Sequence, residues 1–244
     1  MKKNLLTAAL AVALSFAAHA ATIVAPGTSE DSVNKSLTVG AGTAVKDVET
    51  VNGSIDVQDG AQAAEVSTVN GSIDVGNDVT LVTLETVNGS IDVGSGLKAS
   101  GDVETVNGRI GIGPGSTVAG SVSTVNGRVT LDQVTVTTNV ETVNGGLNFK
   151  NARIGGNVEM VNGRAELLDG TVVGGDLVVH KPKGGWSWGN KTKPPVVVIG
   201  AGSEVRGRLL IENDETKVYV HENARVGAVE GVQATRYSGA NAPE

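Results

Sequence analysis

The chain has no cysteine, and only two tryptophans, two tyrosines and two phenylalanines. Without cysteine there is no disulfide framework, no thiolate nucleophile and no cysteine after a signal cleavage site for lipid attachment there. With aromatics at 2% of the residues, a thick globular core is also excluded, because such cores take much of their buried area from Phe, Tyr and Trp. The remaining apolar residues are Val, Ile, Leu and Ala, which suit a core only one or two side chains across. Positive charge is short as well: 19 Lys and Arg stand against 26 Asp and Glu, a net −7. Nucleic acid and anionic membranes both require a basic face, so neither is an expected partner.

A long apolar run occurs only at the start. Lys2 and Lys3, the apolar stretch from Leu5 to Ala18, and Ala18-His19-Ala20 read as a signal peptide cleaved after Ala20. The stretch is short for a bilayer span. Its removal takes two lysines and no acid, moving the formal charge from −7 to −9. The expected product is exported to the periplasm, the cell surface or the medium. It has no integral membrane segment once the signal is gone.

What the chain has in abundance is one phrase. Val-Asn-Gly recurs with its asparagine at Asn52, Asn70, Asn88, Asn107, Asn126, Asn144 and Asn162, in steps of 18 or 19 residues. Apolar residues keep phase with it. Four before the asparagine stand Val48, Val66, Leu84, Val103, Val122, Val140 and Val158. Three and five after it come pairs such as Ile55 and Val57, Ile73 and Val75, Leu147 and Phe149. Val33-Asn34-Lys35-Ser36-Leu37-Thr38-Val39 is a degenerate earlier copy. Between the copies lies a third apolar patch: Ala61/Ala63, Leu97/Ala99, Val118, Val134/Val136, Ala152/Ile154 and Val172. Each period thus offers three short strands divided by Gly, Asn or Asp turns, and a fixed period with β-branched residues in register marks a stacked repeat.

Two architectures compete for this pattern. Asn-Gly between apolar runs is a strong hairpin signal, and an antiparallel array of hairpins is one reading. It leaves the third patch and the near-constant step without a cause. A three-sided coil accounts for both. The expected fold is therefore all-β: a single-stranded parallel β-helix, or β-solenoid, of about 18 residues per coil. The phase of the repeats gives about ten or eleven coils, and crossover chirality favours a right-handed winding. Like residues then stack about 4.8 Å apart. In that stack the seven asparagines form a structural ladder at a buried turn, and the glycines supply positive φ. One coil cannot cover its own faces, which is why the motif comes as an array.

Residues 1–20 are read as the signal peptide, 21–32 as a lead-in segment or cap, 33–232 as the solenoid and 233–244 as a polar C-terminal tail. An inserted loop at 180–195 holds four lysines and both tryptophans. The repeat resumes beyond it, since Gly200-Ala201-Gly202-Ser203-Glu204-Val205 echoes Gly113-Pro114-Gly115-Ser116-Thr117-Val118. The loop is thus an insertion within one domain.

Several rows have chemical potential. Asp56, Asp74 and Asp92 share one phase and form a weak candidate column for calcium; Ile-Asp-Val alternation equally makes them a solvated outer face. Glu49, Glu85, Glu104, Glu141 and Glu159 form a second acidic row, interrupted by Ser67 and Ser123, with Arg109, Arg128 and Arg164 expected to relieve its charge. A polysaccharide-binding strip is the sharper reading of that row. Thr50, Thr68, Thr86, Thr105, Thr124 and Thr142 make a row that ends at Met160; facing outward, it would order water or ice. Val51 and its copies would face outward under strict alternation, as an apolar docking stripe. A bend at Glu49-Thr50 would turn them inward, and the bend is the expectation. Trp186 and Trp188 share a face in an extended loop, where they would stack on sugar rings or meet a partner, or else fold back onto the solenoid. After the signal only His180 and His221 remain as histidines, with no Gly-x-Ser-x-Gly, His-Glu-x-x-His or phosphate loop. No cofactor is indicated.

Thr50-Val51-Asn52-Gly53-Ser54-Ile55 resembles the Thr-Val-(Ser/Asn)-Gly-x-Ile segments of the bacterial adhesin-type β-strand-repeat family. Gly101-Asp102-Val103 and Gly156-Asn157-Val158 resemble turns of the bactofilins, polymer-forming β-helices that are cytoplasmic, whereas this chain opens with an export signal. These resemblances imply a right-handed β-solenoid with an adhesive or scaffolding role, and they bring no catalytic motif. The expected protein is a non-enzymatic structural or adhesin-like module of the cell envelope. Its expected partners are its own copies, end to end, or an envelope polysaccharide or protein. One rival is a carbohydrate-binding module using Trp186 and Trp188. The other is an enzyme acting on polyanionic glycans.

Overall fold

A computed structural model describes residues 21–182 and 193–243. It is all-β, a parallel β-solenoid of about 11 turns with strands stacked about 18 residues apart. Each strand pairs with its own counterpart one repeat away. On the first side of the coil Val48–Asn52 pairs with Glu65–Asn70, and that with Thr83–Asn88. On the second, Ile55–Val57 pairs with Ile73–Val75 and that with Ile91–Val93. On the third, Thr80–Leu81 pairs with Lys98–Ala99 and that with Thr117–Val118. The first and second sides belong to one 21-stranded sheet, and the third is an eight-stranded sheet of two-residue strands. In Val140–Lys150 and Val158–Leu168 the first two sides run on as single 11-residue strands.

The core is a narrow aliphatic column. Val48, Ile55, Val57 and their copies are buried, with Phe149 the one phenylalanine among them. On the third side the inner positions are held by residues such as Leu81, Ala99, Val118, Val136 and Ile154. Val172, expected there, is only half-buried: it is in register with Arg153, while Val173 follows Ile154 into the core and Thr171 takes the inner place before it.

In most coils the first side alternates, Ser67 being an outward position that is nonetheless buried. Val48 and Thr50 are buried, while Glu49 and Val51 lie outward and half-exposed. The bend expected at Glu49-Thr50 is therefore absent, and the pleat carries Val51 and its copies to the outer surface. The same pleat turns the threonine row inward, which removes the reading of it as an exposed water-ordering face.

The solenoid is longer at both ends than the repeats suggest. Thr22–Ile23 and Glu30–Ser32 already pair with Leu37–Val39 and Val48–Asn52, so the lead-in is itself a coil. Thr235–Tyr237 pairs with Lys217–His221, which carries the fold past Val232 into the segment expected to be a polar tail. Ladder hydrogen bonds there do not need an apolar repeat. The insertion leaves after first-side strand Leu177–Val179 and returns at second-side strand Val196–Ile199, the corner that Val-Asn-Gly occupies elsewhere. Next to it alternation fails: Val178 and Val198 hold outward register positions, yet both are buried. Among the described residues no helix is long and apolar enough to cross a membrane.

Candidate functional site

The repeated Thr-Val-Asn-Gly corner is the most elaborated surface feature, and each of its residues has a separate task. The threonine hydroxyl, buried, donates to the glycine carbonyl of the preceding coil: Thr68 to Gly53 and Thr86 to Gly71 at 2.9 Å, Thr105 to Gly89 at 3.0 Å, Thr124 to Gly108 at 3.1 Å. Valine lies outside. The asparagine side chain donates its Nδ2 hydrogen to the Oδ1 of the previous copy. This ladder runs from Asn34 through Asn52, Asn70, Asn88, Asn107, Asn126 and Asn144 to Asn162, with distances of 2.8–3.0 Å. It stands on the exposed rim of the corner and not in a buried turn.

The glycine does not serve the purpose expected of it. Gly53, Gly71, Gly89, Gly108, Gly127 and Gly145 lack the positive φ that would demand glycine, which among the motif copies only Gly163 shows. Their requirement is spatial. A Cβ on Gly71 would overlap the carbonyl of Gly53, and the same holds at each copy up to Gly163. Positive φ belongs to the next corner, where Gly42, Gly60, Asp78, Gly96, Gly115, Gln133 and Asn151 adopt it.

The other two corners are pegged by side chains that the repeat did not reveal. Asp59 Oδ1 accepts from the backbone N–H of Asn77 at 2.6 Å, and Asn77 Oδ1 from that of Ser95 at 2.9 Å. At the third-to-first corner Asp102 accepts from Ser121 N, Asn139 from Asn157 N, Asn157 from Asp176 N, and Asp176 from Arg208 N. The signal was present as Gly-(Asp/Asn)-x, but its function as a bond between coils needs the stack to be seen.

Two acidic columns stand on the outer faces. On the first side Glu85 lies in register between Ser67 and Glu104. Burial, then the neighbouring Glu104, Glu65, Asp102 and Glu49, push its carboxyl up to about 7. Glu49 and Glu104 are also raised, burial being the main cause for each, although Ser123 donates to Glu104 at 3.2 Å and partly offsets it. The arginines do not relieve this row as expected. Arg109 reaches across to Asp92, and Arg164 to Glu166, both on the second side.

On that second side Asp56, Asp74 and Asp92 stack in register, followed by Gly111 and Thr130. They run along the axis and do not converge; among the described residues no group of three or more His, Cys, Asp or Glu is placed to hold a metal ion. Arg109 closes the row with two bonds to Asp92, Nε to Oδ1 at 3.2 Å and Nη2 to Oδ2 at 3.0 Å. Asp74 is raised by burial and by Asp92 and Asp56, with Arg109 acting against them.

His180, at the start of the insertion, ties three coils together. Its Nε2 is 3.0 Å from Glu159 Oε2 and its Nδ1 is 3.2 Å from Glu212 Oε2. Burial works against its protonated form, but the two carboxylates outweigh it and the net shift is upward. His221 is buried, accepts from Asn223 N at 3.0 Å and packs edge-on against Tyr237. Trp186 and Trp188 lie outside the described residues. Comparison with family models, with curated proteins and with solved structures finds no match to the chain.

Proposed function

We propose that the protein is an exported, non-catalytic β-solenoid that serves the cell envelope as a scaffold or adhesin-like binding module and assembles end to end. The Thr, Asn and Gly of its motif are engaged in joining coil to coil, which makes a straight rod of fixed register. The observation that carries the assembly is the state of the last coil. Among the described residues Arg225–Val226, Val229–Glu230 and Thr235–Tyr237 each pair with a strand on one side only, and the core positions Val226, Val229, Val232 and Ala234 are only partly covered. Among the described residues Thr22–Ile23 and Glu30–Ser32 likewise have one partner each. Open parallel edges at opposite ends are mutually complementary in a head-to-tail contact, which does not close.

Sedimentation velocity and electron microscopy across a concentration series test this. The expected result is rods whose lengths are multiples of about 50 Å, from about 11 coils at roughly 4.8 Å each, with Val229→Glu restoring single units. A protein that stays monomeric to millimolar concentration would overturn the assembly.

A further inference from the structure

The two ends of the rod carry charges at positions where the other coils place apolar core. In one first-side column Val48, Val66, Leu84 and their successors point inward, and the rung below Val48 is Glu30. In one second-side column Ile199 and Val220 point inward, and the rung above Val220 is Arg236. The pleat thus gives a carboxylate the inward position at the open N-terminal end and a guanidinium the inward position at the open C-terminal end. Both columns border the same narrow core, from adjacent sides. Among the described residues neither side chain has an ion-pair partner; Arg236 Nη1 donates instead to the carbonyls of His221 at 3.2 Å and Ala224 at 3.4 Å in the coil beneath. In a single rod both ends meet water, which solvates the two charges.

An inward-pointing charge blunts an open sheet end against pairing. Opposite signs at opposite ends do more, because they discriminate between joints. Backbone edges alone would join in either sense, since strands pair parallel or antiparallel. Two N-terminal ends brought together would bury Glu30 against Glu30, and two C-terminal ends Arg236 against Arg236, each a like-charge contact taken out of water. Only an N-terminal end on a C-terminal end sets a carboxylate against a guanidinium, groups that suit a paired hydrogen-bonded contact. We propose that Glu30 of one copy pairs with Arg236 of the next, and that this pair fixes head-to-tail order along the rod. The inference rests on the end-to-end reading above and adds the two residues that select which end is joined to which.

The test compares Glu30→Arg, Arg236→Glu and the double reversal with the natural chain by sedimentation velocity, circular dichroism showing that each variant is folded. Each single reversal puts one sign at both ends and should weaken association about a hundredfold, the scale of a like-charge contact in an interface. Mixing the two single variants, or making both reversals in one chain, should restore it. Order along the rod is read by electron microscopy of gold bound to a Thr38→Cys variant, a position near one end and away from the joint. Head-to-tail rods should show even spacing of about 50 Å, one particle per unit of about 11 coils. Rods that each single reversal leaves intact, or gold in alternating short and long spacings, would overturn the charge pair while leaving end-to-end assembly standing. Loss in the single variants without recovery in the double reversal would also overturn it, as damage to the ends and not a lost pairing. A natural chain that stays monomeric to millimolar concentration would overturn the assembly itself, and the pair with it.

Discussion

Replacing Gly108 by alanine separates two explanations of the motif glycine. If the residue were there for backbone freedom, Gly108→Ala and Gly115→Ala would cost the same. The structure separates them. A Cβ on Gly108 would fall well inside 3.0 Å of the Gly89 carbonyl, closer than real Cβ atoms come to anything. Backbone cannot swing aside as a side chain can, so the two coils must part at this corner. Parting them breaks Gly89 N–H to Asn107 O (3.1 Å), Thr105 Oγ1 to Gly89 O (3.0 Å) and Asn107 Nδ2 to Asn88 Oδ1 (2.8 Å). At roughly 1 kcal/mol net for each, the cost is about 3 kcal/mol. Gly115 has φ +75° but open space, its nearest atom being Gly96 N at 3.9 Å. Alanine there costs only the left-handed conformation, about 1 kcal/mol, and asparagine less, since Asn151 already adopts it. Urea unfolding followed by far-ultraviolet circular dichroism measures both. Equal costs for Gly108→Ala and Gly115→Ala would refute the close-approach argument.

Three further outcomes follow from the same bonds. Thr105→Val removes a buried donor and leaves the Gly89 carbonyl unmet, at about 1–2 kcal/mol; Thr142 Oγ1 is buried without a partner, so Thr142→Val should be neutral or stabilising in the same unfolding assay. Asn107→Ala breaks two rungs of an exposed ladder and Asn162→Ala one, so urea midpoints should show about 1 and 0.5 kcal/mol respectively, the low end for hydrogen bonds in water. Glu85 titrates at about 7 in the folded state against 4.5 ordinarily. The folded chain holds that proton more tightly, so its contribution to stability is full below pH 4.5 and falls as pH rises to about 7; Glu85→Gln should flatten that part of the stability–pH curve and raise stability at pH 8 without change at pH 4.

The stacking was legible in the chain because the period of Val48, Asn52, Ile55 and Val57 is a property of the sequence itself. The direction of Val51 was not. Hydropathy alone would bury valine in preference to threonine, but the pleat sets the direction, and four of the buried threonines, Thr68, Thr86, Thr105 and Thr124, offset their burial by donating to a glycine carbonyl of the preceding coil. The purpose of Gly53 was hidden for a related reason: its constraint is the carbonyl of another coil, invisible in any single repeat. Val172 and Val173 are both valines, so the choice between them rests on register with Arg153 and Ile154, which depends on a corner that gained one residue. The corner pegs Asp59, Asp102 and Asp176 looked like turn residues and are also bonds between coils. Near the insertion, Leu177-Val178-Val179 and Val196-Val197-Val198-Ile199 do not alternate, and that run of apolar residues was a readable sign of strands buried on both faces.

The central claim is that each copy of the motif lies directly over the last. Thr38, Asp56, Asp74, Asp92, Gly111 and Thr130 are successive rungs of one column, and a chain with no cysteine takes paired nitroxide labels cleanly. Double electron–electron resonance between labels at positions 38 and 130, five rungs apart, should give about 24 Å, and between 56 and 130 about 19 Å, at roughly 4.8 Å per rung. Distances that fail to grow in step with the number of rungs would contradict the stack, and with it every bond between coils described above.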